Sequence, residues 1–154
     1  MEGVLYIYAK WGIIKCMPKL ERNIIKFGEH LIFDAYGCPL EKLNSKELCY
    51  EVLVKILELT GMHQIHDPIV ISADSNEALG GKDPGGFSGF VMIQESHISI
   101  HTFAKRGFVT VDLYSCKAFK ADDVIKYLDE FFEAADTDVL KLERGLKYPL
   151  DNIY

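Results

Sequence analysis

The sequence predicts an α+β fold, a two-layer sandwich in which a mainly antiparallel sheet carries two main helices packed on one face. Three β-rich runs, 87–95, 96–103 and 107–115, follow one another with only short gaps. Two amphipathic segments, 45–60 and 122–134, have the apolar spacing of helices. The length of 154 residues is enough for one domain with an ordinary core.

The N-terminal part of the chain divides into a prefix and the start of the domain. Residues 1–27 form the prefix, which shows no clear periodicity. Met17 stands inside it before Pro18 and is an alternative start of the protein. We expect a single domain over residues 28–154. Its first strand is predicted over residues 30–36 (HLIFDAY), because Gly and Pro follow directly.

The first helix is predicted over residues 45–60. Asn44, with Glu47 three residues later, resembles a capping box, and Gly61 is expected to end the helix. The residues expected to share its buried face are Leu48, Val52, Ile56 and Leu59.

The rest of the chain continues this alternation. Residues 69–73 (IVISA) are predicted as a strand, and the turn-rich residues 74–86 as a surface loop. The last two β-rich runs are close enough for an antiparallel hairpin. A second helix is predicted over residues 122–134 and a last strand over 138–143. The residues expected to face inward from the second helix are Val124, Leu128, Phe131 and Phe132.

The charge and the apolar runs of the sequence argue against several classes of protein. The net charge is -6 and the pI about 5.3, which argues against binding to nucleic acid or to an anionic membrane. No apolar run approaches the roughly 20 residues of a membrane span. Neither a secretory signal nor a CxxC pair is present, so we expect a cytoplasmic protein with free thiols. The four cysteines are Cys16, Cys38, Cys49 and Cys116.

The glycine-rich segment 80–86 (GGKDPGG) contains a lysine among glycines, as phosphate-binding loops do. In such loops Ser or Thr follows the lysine, whereas Asp83 follows Lys82 here. The spacing of the glycines also differs from the phosphate-binding pattern. An ordinary surface loop is the better interpretation.

The histidines do not predict a metal site. His63 and His66, with Asp67, follow a helix end without a third cluster and are expected to be solvent-exposed. His97 and His101 are four residues apart, but their segment is β-type. In a strand this spacing separates the Cα atoms by about 13 Å, too far to share one ion.

The segment 94–102 (QESHISIHT) has polar residues in alternate positions. His97, Ser99 and His101 are expected on one face of the strand, with isoleucines on the other. From the spacing alone, this polar face fits either a functional site or the solvated face of an antiparallel sheet.

The residues around this strand resemble the prokaryotic S-adenosylmethionine decarboxylases. The resemblance is clear over residues 28–117 and looser to about 145. The segments that carry it are GEHLIFDAYGC (28–38), GGFSG (85–89), ESHISIHT (95–102) and DLYSC (112–116).

The resemblance implies a proenzyme that cleaves itself between Glu95 and Ser96. Ser96 would attack the carbonyl of Glu95, and after elimination and hydrolysis it would become a pyruvoyl group. The resemblance assigns His101 as the base of this processing and Ser88 as a helper that polarises the scissile carbonyl. A neutral imidazole is the usual proton acceptor near pH 7.

The implied reaction is decarboxylation of S-adenosylmethionine in spermidine biosynthesis. The pyruvoyl carbonyl would form a Schiff base with the substrate, with no metal and no pyridoxal phosphate. Cys116 maps to the cysteine that reprotonates the product carbon. The resemblance also implies a small-molecule substrate and a homo-oligomer, a dimer of processed two-chain protomers, with no nucleic-acid or membrane partner.

The sequence departs from the family at expected substrate contacts. Phe103 stands at an aromatic position, but Lys105 replaces the glutamate that binds the ribose hydroxyls, and Lys82 replaces an adenine-stacking aromatic. Asp83 is a candidate partner for the distal cation of a basic amino acid. Decarboxylation of ornithine or arginine is therefore an alternative. A non-enzymatic α+β binding protein that retains the motif without processing is another.

Overall fold

Six strands pair into one antiparallel sheet in the computed structural model of the chain, which describes residues 24–152. The strands of the described part are β1 (Ile24–Ile25), β2 (Gly28–Tyr36), β3 (Ile69–Ala73), β4 (Gly86–Ile93), β5 (Ser96–Phe103), β6 (Phe108–Ser115), β7 (Asp136–Arg144) and β8 (Tyr148–Pro149). Its helices are α1 (Leu40–Leu43), α2 (Lys46–Thr60) and α3 (Ala121–Phe132). The order across the sheet is β3-β4-β5-β6-β2-β7, while β1 and β8 form a separate two-stranded ribbon.

The core lies between the helices and one face of the sheet. Alternate residues of the strands, among them Phe33 on β2 and Ile100 on β5, are fully buried against the helices. The opposite face, which we call the outer face, has no helix over it among the described residues. Its large apolar side chains, such as Phe90 and Leu140, are exposed. The predicted α+β sandwich with helices on one face is confirmed.

Helix α2 begins one residue later than predicted. Its N-cap is Ser45 rather than Asn44, because the Ser45 hydroxyl accepts a hydrogen bond from the Leu48 N–H at 3.2 Å. Gly61 ends the helix with a φ of +61°, as predicted. Val52 and Ile56 are buried as predicted, whereas Leu59 is exposed and Leu48 only half-buried, because the helix packs on the sheet through a stripe rotated toward Cys49 and Leu53. That stripe is Cys49, Val52, Leu53, Ile56 and Leu57.

Helix α3 and the strands follow the predicted order with small changes. Val124, Leu128 and Phe132 are buried as expected, whereas Phe131 is only half-buried and lies under the Lys42 ammonium. The strand predicted over residues 138–143 is β7, which is longer than predicted. The main difference is at residues 94–95, which form a turn rather than the end of a strand.

The described chain begins inside the predicted prefix. Strand β1 pairs with β8, and the Phe27 ring packs on Tyr148 at a centroid distance of 4.6 Å. Met17 and Cys16 lie outside the described residues, so the alternative start at Met17 stays a prediction. Within residues 24–152, no helix has both the length and the apolar character needed to cross a membrane.

Candidate active site

The hairpin between β4 and β5 turns through only two residues, Gln94 and Glu95. Ile93 on β4 pairs with Ser96 on β5, so Ser96 is the first residue after the turn. Its φ is +141°, a conformation that residues other than glycine rarely adopt. Such strain costs on the order of 1–3 kcal/mol and persists only where the surroundings enforce it. The Glu95–Ser96 peptide bond is thus part of a tight, strained turn.

The carbonyl of this peptide bond is held by the neighbouring strand. Ser115, the last residue of β6, pairs with Ser96, which brings the next residue beside the turn. The backbone N–H of Cys116 donates to the Glu95 carbonyl oxygen at 2.9 Å. A donor aimed at a carbonyl oxygen stabilises negative charge that develops there during nucleophilic attack.

The side chain of Glu95 is also held in place, by contacts with His63. Its carboxylate accepts hydrogen bonds from the His63 backbone N–H at 3.1 Å and contacts the His63 Nδ1 at 2.9 Å. Burial raises the pKa of Glu95, but the hydrogen bonds from the His63 ring and N–H outweigh it. The pKa of Glu95 is therefore below its ordinary value.

The thiol of Cys116 differs from the other cysteines of the described part. Cys116 is exposed beside the turn, whereas Cys38 and Cys49 are buried in the core. Burial raises the pKa of the Cys38 thiol and brings that of Cys49 to about 11. Of these three thiols, only Cys116 is both accessible and close to Glu95.

Ser88 and His101 meet across β4 and β5, at the other end of the hairpin. They are direct partners in the strand register, and the His101 Nδ1 lies 3.0 Å from the Ser88 Oγ. Gly86 allows the strands to approach closely here, because a Cβ at this position would lie 1.9 Å from the Thr102 carbonyl oxygen. The two residues expected to assist processing are therefore in contact with each other.

The two halves of the candidate site are separated within one chain. Ser96 and His101 are five residues apart on β5, which corresponds to about 17 Å along a strand. The chain therefore brings Ser96 together with Glu95 and Cys116, and separately joins Ser88 to His101.

Two of the three expected substrate contacts follow His101 along the chain, and the third, Asp83, lies in the loop before β4. Phe103 stacks on Phe108 at a centroid distance of 5.3 Å, and Lys105 is exposed in the turn that follows β5. Asp83 is half-buried, and its Oδ1 accepts a hydrogen bond from the Gly85 N–H at 2.8 Å. Part of the bonding capacity of Asp83 is thus used within its own loop.

A polar cluster on the outer face was not predicted from the sequence. The His30 Nε2 lies 3.0 Å from Asp112, and the Arg144 guanidinium lies 4.1 Å from the centre of the Tyr114 ring. Burial lowers the pKa of the adjacent His97, and the neighbouring His30 lowers it further. On β2 and β6 these polar residues alternate with buried ones. This alternation could have predicted from the sequence that their side chains share one face of the sheet.

No group of three or more His, Cys, Asp and Glu side chains within residues 24–152 has the arrangement of a metal site.

Comparison with known proteins relates this site to one family. The family model for S-adenosylmethionine decarboxylase matches residues 29–145. An S-adenosylmethionine decarboxylase proenzyme of Moorella thermoacetica is 35% identical over 124 residues, 79% of this chain and 90% of that protein. One from Clostridium botulinum is 31% identical over 119 residues, 77% of this chain and 94% of that protein.

A solved structure agrees with the sequence relatives. The adenosylmethionine decarboxylase of Aquifex aeolicus matches with a TM-score of 0.67 and 27% identity, covering 83% of this chain and 98% of that one. The match of the family model spans the strands that carry Ser88, Ser96 and His101, and also Cys116, which follows β6. The chain belongs to the S-adenosylmethionine decarboxylase family, a family of decarboxylating enzymes.

Proposed function

We propose that this protein is a self-processing, pyruvoyl-dependent decarboxylase that converts S-adenosylmethionine to decarboxylated S-adenosylmethionine and CO2 for spermidine biosynthesis. The observation that carries the proposal is the strained Glu95–Ser96 turn, whose carbonyl accepts a hydrogen bond from the Cys116 N–H. Membership of the family supports the same reaction. The pyruvoyl group is the only cofactor in this proposal.

Processing uses groups that the turn holds in place. The Ser96 Oγ attacks the Glu95 carbonyl carbon, the peptide C–N bond breaks, and an ester forms while the Ser96 nitrogen becomes a free amine. The Cys116 N–H stabilises the negative charge on the carbonyl oxygen during this step. Release of the unfavourable φ at Ser96 favours the same step.

A base then completes the conversion of Ser96. It removes the α-proton of Ser96, and the bond between Oγ and Cβ breaks. The leaving group is the main-chain carboxylate of Glu95, which becomes the C-terminus of the first fragment. The resulting dehydroalanine takes up water and releases ammonia, which leaves the pyruvoyl group at the new N-terminus. His101, in contact with Ser88, is the proposed base.

The proposed base comes from a second copy of the chain. The distance of about 17 Å along β5 prevents His101 from reaching Ser96 of its own chain. In a symmetric dimer, the same surface patch of both copies is in contact, so each Ser96 can face the partner's base. The proposed assembly is therefore a homodimer of processed protomers.

The outer face supplies a surface for such a dimer. It carries exposed apolar side chains from β3, β4 and β7, and His101 lies on the same face. The apolar side chains of β3 and β4 lie on one side of the polar cluster and those of β7 on the other, and exposed apolar patches bordered by polar residues are typical of protein interfaces. Its large exposed apolar residues include Ile71, Phe90, Met92, Leu140 and Leu142.

Turnover needs a proton at the substrate carbon that loses CO2. The pyruvoyl group supplies the carbonyl that binds the substrate amine and accepts the electrons released with CO2. The exposed thiol of Cys116, beside the turn, is the proposed proton donor.

Release of CO2 from labelled S-adenosylmethionine, ornithine and arginine tests the substrate. We expect the purified, cleaved protein to act on S-adenosylmethionine. Asp83 already bonds within its loop, which weakens the case for a basic amino acid held at this position. Activity on ornithine or arginine, with none on S-adenosylmethionine, would contradict the proposed substrate.

Lys105→Glu is expected to increase activity on S-adenosylmethionine. Lys105 places a cation where the family glutamate accepts hydrogen bonds from ribose, and it also repels the positive sulfonium. A hydrogen bond from the ribose to a charged carboxylate is worth about 1.5–3 kcal/mol, or roughly tenfold to a hundredfold in kcat/KM. The control is Lys126→Glu, the same charge change on the exposed side of α3. Equal activity of Lys105→Glu and the wild type would exclude this role for position 105.

A further inference from the structure

A short segment after α2 lies beside the strained turn. The His63 carbonyl accepts a hydrogen bond from the Gln94 N–H at 2.9 Å, and the Ile65 N–H donates to the Met92 carbonyl at 2.9 Å. These bonds pair residues 63–65 with the end of β4 and fix them against the turn. The position of His63 relative to Glu95 is therefore set by the backbone of both segments.

The contact between His63 and Glu95 joins an exposed ring to a nearly buried carboxylate. The His63 side chain is 66% exposed, whereas that of Glu95 is only 12% exposed. Both carboxylate oxygens are occupied, one by the His63 N–H and the other by its Nδ1. A carboxylate with so little access to water depends on such donors to remain ionised in place.

Glu95 is thus held at two points, and the scissile carbonyl carbon lies between them. The Cys116 N–H holds its carbonyl oxygen, and His63 holds its carboxylate. Together these contacts limit rotation of the residue whose carbonyl carbon Ser96 must attack. Displacements of about 1 Å in such a geometry can slow a reaction a hundredfold.

We infer that His63 is a positioning residue for self-cleavage, which orients the Glu95 carbonyl toward Ser96 by holding the Glu95 side chain. The inference rests on the proposed function. His63 lies outside the ESHISIHT segment, and the hydrogen bond of its ring is to the Glu95 side chain, so the ring acts through Glu95. The same contact keeps the pKa of Glu95 low, which preserves the charged acceptor at neutral pH.

The test compares cleavage rates of freshly purified variants on a denaturing gel. We expect His63→Ala to be cleaved about tenfold to a hundredfold more slowly than the wild type. His63→Asn should recover most of the rate, because its amide nitrogen can donate from nearly the position of Nδ1. Glu95→Ala should slow cleavage at least as much, and the double variant His63→Ala/Glu95→Ala should be no slower than Glu95→Ala, since the His63 ring acts only through this carboxylate.

His66→Ala is the matched control. His66 lies on the same segment, but its ring contacts the Asp67 carbonyl instead of Glu95. We expect this variant to be cleaved like the wild type. The melting temperature of uncleaved His63→Ala should lie within a few degrees of that of uncleaved Ser96→Ala, because the ring is largely exposed and the backbone N–H of residue 63 still donates to the carboxylate.

The outcomes separate this inference from the proposed function. A wild type that is cleaved, with His63→Ala cleaved at the same rate, overturns the role of His63 and leaves the proposed function intact. A His63→Asn variant as slow as His63→Ala also overturns it, because the hydrogen bond would then not be the cause. If the wild type is never cleaved, the proposed function fails and the inference fails with it.

Discussion

Ser96→Ala is expected to remain a single uncut chain, whereas the wild type separates into fragments 1–95 and 96–154. Without the Oγ there is no nucleophile to attack Glu95, and no other group in the turn replaces it. A denaturing gel and intact mass measurement detect the cleavage. Edman sequencing of the second fragment should be blocked, because its N-terminus is a carbonyl rather than an amine.

Ser99→Ala serves as the control for this prediction. Ser99 is half-buried on the same strand, but it lies away from the turn. We expect it to be cleaved normally. A wild type that stays whole after long incubation would disprove self-processing and favour a non-enzymatic binding protein.

The variants His101→Ala and Cys116→Ala are expected to fail at different steps. His101→Ala should accumulate uncut chain, since removing a general base slows proton transfer by about 10²–10⁴-fold. Cys116→Ala retains the backbone N–H that holds the Glu95 carbonyl, so it should still be cleaved. Its turnover should fall by a similar factor, because the proposed proton donor is lost.

Gel analysis and CO2 release, measured on the same samples, separate the two defects. Turnover is expressed per cleaved chain, so that incomplete processing does not lower it. Equal failure of both variants to cleave would contradict the separate roles.

Co-expression of Ser96→Ala with His101→Ala tests whether the base acts across a dimer. A mixed dimer contains one complete site, formed by Ser96 of the His101→Ala chain and His101 of the Ser96→Ala chain. We therefore expect the His101→Ala chain to be cleaved in the mixture, although neither variant is cleaved alone. Absence of cleavage in a confirmed mixed dimer would contradict the action of His101 across the dimer.

Local sequence patterns were sufficient to predict the main helices and strands of the fold. The alternation in 94–102 placed His97, Ser99 and His101 on one face, because side chains of a strand alternate whatever it packs against. Spacing also located both helices. It did not locate the cap of α2 or its full buried stripe, since Asn44 and Ser45 are both good caps and the choice depends on packing.

The site could be predicted from sequence only as a set of residues. The resemblance to the family identified five candidate residues, Ser88, Glu95, Ser96, His101 and Cys116. It did not give the distances between them. The contact between Ser88 and His101 depends on the register of β4 and β5, which pairs residues 13 positions apart. The separation of His101 from Ser96 became evident only once both were placed on one extended strand.

The sequence by itself determined the fold class and the order of the elements, because these depend on periodicity and on residue type, and its resemblance to the family predicted the candidate site residues. Only the tertiary structure decided what holds the Glu95–Ser96 peptide bond. The donor to the Glu95 carbonyl is a backbone N–H of Cys116, and the partner of its carboxylate is His63, 32 residues earlier in the chain. A backbone N–H is common to nearly every residue, and a contact over such a distance arises only when separate strands and loops pack together.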